Sequence, residues 1–163
     1  MLKRLILVTF TTLFFVCQLF VNPVTALELD EEARTVKYNE AGEEITVSTK
    51  EAEQGRRLFN DTCAQCHLGG VTKTNPNVGL SLEALERAEP PRDNIAGLID
   101  YMKNPTTYDG EIDIKEIHPN TVRSDIYPEM RNLTEDDLEA IAAHILIQPK
   151  VRGRRWGGGK VYN

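Results

Sequence analysis

Apolar residues crowd into positions 5–20 and then thin into short, regularly spaced groups. Ala52, Gly55, Leu58 and Phe59 recur at helical spacing, as do Ile95, Leu98, Ile99 and Met102, and then Leu138, Ile141, Ala142 and Ile145. Steps of three and four residues place each set on one face of a helix. The polar residues bounding these sets agree. Ser48, with Glu51 three residues on, forms a capping box, so a helix is predicted from Thr49. Ser81 caps a short helix that Pro90-Pro91 ends; Asp93 or Asn94 starts the next, and Asn104-Pro105 closes it. Thr134 precedes Glu135-Asp136-Asp137, whose charges suit a first helical turn, and Pro149 is expected to stop this last helix. Residues 35–38 and 44–47 alternate around Asn39-Glu40-Ala41-Gly42, which predicts a small β-hairpin. The fold class is therefore mainly α, with a small N-terminal hairpin. Gly55 lets another backbone approach the first long helix, and the small Ala142 suggests that the last helix crosses it there.

The densely apolar start has a different meaning. Lys3 and Arg4 precede it, Thr9, Thr11, Thr12 and Gln18 interrupt it, and Val24-Thr25-Ala26 offers a small-residue cleavage site. Residues 1–26 thus read as an export signal, and residues 27–163 as one domain. The signal holds two of the 19 basic residues and none of the 25 acidic ones, which leaves the remainder at a net charge of −8. Nucleic acid is a poor partner for such a surface. The charge is also uneven. Residues 27–47 form an acidic N-terminal extension, whereas residues 149–163 form a basic tail with Lys150, Arg152, Arg154, Arg155 and Lys160. With Trp156 and its neighbouring glycines, that tail is a candidate docking surface; Trp156 packed on its own domain is the alternative.

Cys63-Ala64-Gln65-Cys66-His67 carries the chemistry. Two thiols at this spacing can add to haem vinyl groups as thioethers, and the abutting histidine supplies an axial ligand. Cys17 falls in the signal, so Cys63 and Cys66 are the only thiols left, too few for a four-sulfur zinc site. Export matches this chemistry, because covalent haem attachment takes place across a membrane. The expected cofactor is one haem c, held through Cys63 and Cys66, with His67 on the iron.

What binds the other face decides the chemistry. Met102 lies on the apolar face of its own helix, and His144 lies beside the stripe of the last helix; both read as packing residues. Met130 stands just ahead of the last helix, and His118 is followed by Pro119 in an irregular region. On the residues alone, Met130 and His118 stand level.

Longer motifs separate them. Residues 69–76 (GGVTKTNP), 90–95 (PPRDNI), 100–110 (DYMKNPTTYDG) and 156–162 (WGGGKVY) resemble the extrinsic low-potential cytochromes c of photosystem II, the PsbV family, along essentially all of residues 27–163. The resemblance implies a cytochrome c-like helical domain and a bis-histidine haem, with His118 of Ile117-His118-Pro119 as the second axial ligand. Met130 then becomes a packing residue near the haem. It further implies a non-enzymatic subunit in the thylakoid lumen, peripheral on the membrane, that stabilises the oxygen-evolving manganese–calcium cluster and helps retain calcium and chloride. Its partners would be the photosystem II core and other extrinsic lumenal subunits. The family often ends in two tyrosines, whereas this chain ends Tyr162-Asn163. The rival reading is a soluble cytochrome c that shuttles electrons between membrane complexes.

Overall fold

The structure, a computed structural model, describes residues 29–158. The predicted signal and residues 159–163 of the tail lie outside the described residues. Helices dominate, joined by long irregular segments. Asp30 caps a one-turn helix, Glu31–Arg34 (α1), by accepting from the Glu32 amide. The chain then pairs Thr35–Lys37 (β1) with Glu44–Thr46 (β2) in an antiparallel hairpin, Val36 opposite Ile45. α1 was not expected: one turn carries too few apolar positions to show a period. The acidic segment still contributes to the core, since Val36 and Val47 are both buried. Lys37 fastens it by an ion pair to Asp93 at 2.8 Å, and Tyr38 accepts from the Ala96 amide.

The longer helices start where their caps predict. Ser48 and Glu51 form the reciprocal capping box of Thr49–Thr62 (α2). A single turn, Ala64–His67 (α3), follows directly, and Ser81 caps Leu82–Glu86 (α4). Asn94 accepts from Gly97 to cap Ile95–Lys103 (α5), and Thr134 with Asp137 builds a second capping box on Glu135–Arg152 (α6). α2 and α6 cross in close contact. A Cβ built on Gly55 would lie 1.9 Å from the Ala140 carbonyl oxygen, so nothing larger than glycine fits. The crossing point is Ala140 and not Ala142, which is itself fully buried.

Two features of α6 differ from expectation. Its residues 140–148 are all buried, instead of forming a single stripe, because α2, α5, β1 and the turn after α6 pack around it. It also continues past Pro149 to Arg152. A proline in a last turn removes one backbone donor, while later residues still donate; Gly153 N–H bonds the Pro149 carbonyl. Gly153, at a φ of 55°, then ends the helix. The chain folds back so that Trp156 is buried, 5.6 Å from the Phe59 ring and 5.9 Å from the His144 ring. Trp156 is thus packed on its own domain, the alternative given for it from the sequence.

Candidate haem site

Helix α2 delivers the attachment motif. Cys63 closes it by donating its amide to Phe59, and the turn of α3 returns the His67 amide to the Cys63 carbonyl at 2.9 Å. Gly69 and Gly70, with φ of 72° and 81°, then swing the chain back over the histidine. This return places the Thr72 hydroxyl 3.2 Å from His67 Nδ1. With Nδ1–H donating to that oxygen, the Nε2 lone pair is left for a metal.

His118 arrives from an irregular segment. Its ring Nδ1 lies 2.9 Å from the Pro119 carbonyl, a partner that can only accept, so Nδ1 is the protonated nitrogen and Nε2 again carries the lone pair. The segment is clamped by Asn120, whose buried side chain donates to the Lys115 and His118 carbonyls at 3.0 and 2.8 Å and accepts from the Arg123 amide at 2.8 Å. Thr121 N–H bonds the Met102 carbonyl and ties the segment to α5.

The two imidazoles line one cavity of about 450 Å³, their centroids 6.1 Å apart. Two metal–nitrogen bonds of about 2.0 Å, with the radius of each ring added, span roughly that distance. Burial holds His67 at a pKa of about 4, with the nearby His118 contributing, and burial also lowers His118. Both rings are therefore neutral, the state in which imidazole binds a metal.

Other walls of the cavity fit a haem as well. Cys63 lines it, and Cys66 is one turn away on α3; both are free thiols. Burial raises the Cys63 pKa, so the thiol stays protonated and is a poor candidate for a thiolate nucleophile. Arg92 is buried against the cavity, 3.9 Å above the Tyr101 ring, and Nη2 donates only to neutral oxygens of Thr106 and Thr107. Among the described residues it forms no ion pair. A buried cation without an anion is costly, and a haem brings two carboxylates. Tyr101 in turn meets the His118 ring edge-on at 5.1 Å.

Of the other axial candidates, Met102 lines the cavity from α5, as core packing predicts. Met130 is buried and does not line the cavity, so it packs beneath its wall and is not placed on the iron face. His144 lies outside the lining too, packed at a tilt against Phe59 at 5.0 Å with Gln148 3.4 Å away. Thr72, Arg92, Tyr101 and Asn120 escaped the sequence reading as site residues. The Asn after His118-Pro119 was the signal available for Asn120, since asparagine next to proline marks a hydrogen-bonded turn.

Residues 27–163 match the family model for the cytochrome c-550 domain. The photosystem II extrinsic protein V of Aphanothece halophytica is 82% identical over 163 residues, covering all of both chains. Its counterpart in Trichormus variabilis is 59% identical over 162 residues, 99% of each chain. The crystal structure of cytochrome c549 superposes with a TM-score of 0.77 at 58% identity, covering 78% of this chain and 99% of that one. One covalently bound c-type haem goes with this family, and the Cys63/Cys66 spacing is that of its attachment motif. The chain belongs to the cytochrome c-550 family.

Proposed function

We propose that this chain is an extrinsic, lumenal subunit of photosystem II that stabilises the manganese–calcium cluster and its calcium and chloride. Its bis-histidine haem c is capable of electron transfer at low potential. Cys63 and Cys66 hold the cofactor as thioethers, and His67 and His118 bind the iron. The observation that carries the ligand assignment is the pair of facing rings at 6.1 Å, each with Nδ1 engaged and Nε2 available. The haem supplies one-electron exchange when bound, at a potential that a second imidazole sets below that of a methionine-ligated iron. Thr72 and the Pro119 carbonyl fix the two rings, while Tyr101 and Met102 close the walls. Two imidazoles leave no coordination position for a substrate, which supports a subunit that is not an enzyme.

The names of the relatives support the photosystem assignment. Residues 1–26 serve as the export signal, cut after Ala26, which puts the domain in the thylakoid lumen. None of the described helices is long and apolar enough to cross a membrane, in keeping with peripheral attachment. The test is a salt or alkaline wash of photosystem II membranes. The expected result is release of this protein with loss of oxygen evolution, restored by adding it back. Recovery of the protein in the soluble fraction, with oxygen evolution indifferent to it, would favour the electron shuttle.

A further inference from the structure

Outside the haem cavity, a second cleft of about 390 Å³ opens where α6 leaves α2. Two guanidinium groups border it, Arg56 on α2 and Arg152 on the last turn of α6. Among the described residues neither makes an ion pair or a side-chain hydrogen bond; Arg152 only overhangs the Trp156 ring, at 5.9 Å. The one acid on the lining, Glu53, forms no ion pair with either among the described residues. Lys150, two residues before Arg152, is by contrast engaged by the Glu32 and Thr35 carbonyls.

The inner wall adds one polar group without a partner, beside a histidine–glutamine pair. Trp156 lines the cleft, and its Nε1 is the buried side-chain nitrogen without an acceptor among the described residues. His144 and Gln148 lie beside it, both buried. Burial first, then the charges of Arg152 and Arg56, hold His144 near a pKa of 4, so the field of both cations reaches into the cleft. The rim is apolar and exposed: Leu68 at 62% and Val151 at 46%. Cations over an apolar rim, with an indole beneath, make a surface of the kind that anchors protein contacts.

We propose that this cleft receives an acidic side chain, a glutamate or aspartate, of an adjoining photosystem II polypeptide. The inference rests on the subunit reading above. A carboxylate would give the guanidinium groups a bidentate acceptor, which a halide cannot do, and the apolar rim would cover its aliphatic stem.

Haem-loaded protein with R56Q/R152Q is compared with R154Q/R155Q, which removes equal charge from the same end but outside the lining. Binding to extrinsic-depleted photosystem II membranes should weaken about tenfold or more for the first pair and only slightly for the second. In a parallel arm, the indole N–H resonance of the single tryptophan is followed in the reduced protein while sodium acetate is added at constant ionic strength. A saturating shift that R56Q/R152Q abolishes supports the site. Equal weakening by both pairs, or a shift with chloride but not with acetate, overturns it. If unaltered protein fails to rebind at all, the photosystem reading falls and takes this proposal with it.

Discussion

His67 reaches the cavity on the single turn that directly follows a fourteen-residue helix, whereas His118 reaches it on irregular chain between α5 and α6. On the proximal side every step is local. Cys63, Cys66 and His67 follow one another in two turns, and the glycine turn brings back Thr72 from only five residues away. On the distal side the ring is held by tertiary means: Asn120 across its own loop, Thr121 to Met102, and Tyr101 from α5. His67, the proposed proximal ligand, would be held beside two thioether tethers once haem is attached. His118, the proposed distal ligand, depends on hydrogen bonds, each worth about 1 kcal/mol net. Loss of the sixth ligand is therefore expected before loss of the fifth.

The strongest way to break the comparison is at the base of the proximal side. Gly55→Leu would drive a side chain into the Ala140 carbonyl, which already leaves only 1.9 Å for a Cβ. The α2–α6 crossing cannot relax around backbone, so the variant should fail to fold and to retain haem, measured by haem-stained yield. Normal haem incorporation would show that the crossing does not carry the attachment motif. Next in size is His118→Met, which leaves the proximal side intact and replaces an imidazole by a thioether. The midpoint potential should rise by on the order of 100 mV or more in a redox titration. An unchanged potential would mean that another group binds the distal face.

The same contrast governs what the amino-acid sequence discloses. The caps at Ser48, Ser81, Asn94 and Thr134 and the proximal motif are written within a few residues of one another, and all four caps form. The sixth ligand is not local. Whether Met130 or His118 enters the cavity depends on the path of residues 106–133, which the Thr106–Asp113 bridge and the Asn120 clamp set. Neither leaves a periodic signal, and only resemblance to a family favoured His118. The full burial of α6 was hidden for a related reason. A hydrophobic stripe records one neighbour, and this helix has several, one of them the turn after it that returns with Trp156. Pro149 misled because a proline removes its own bond to the turn before it but leaves the residues after it free to donate, and Gly153 N–H still reaches the Pro149 carbonyl.

The smaller effects sharpen the comparison by placing matched losses on the two sides. Asn120→Ala removes two donated bonds and one accepted bond from a buried side chain, leaving three backbone groups without that partner. A loss of about 1–3 kcal/mol is expected in guanidinium unfolding, with a high-spin, five-coordinate fraction visible in the absorption spectrum. Thr72→Val removes the acceptor of His67 Nδ1 and nothing else of similar kind. Because the thioethers hold the proximal ring whether or not that bond exists, the ligand should stay bound. Unfolding should shift by only about 1 kcal/mol or less, since the bond is long and single. The potential should rise slightly, since an imidazole that donates to no acceptor is a weaker base toward iron. A Thr72→Ser variant, which keeps the oxygen, should restore the original value. If Thr72→Val instead gives as much high-spin iron as Asn120→Ala, the proximal side is held no more firmly than the distal one, and the difference between covalent and hydrogen-bonded support disappears.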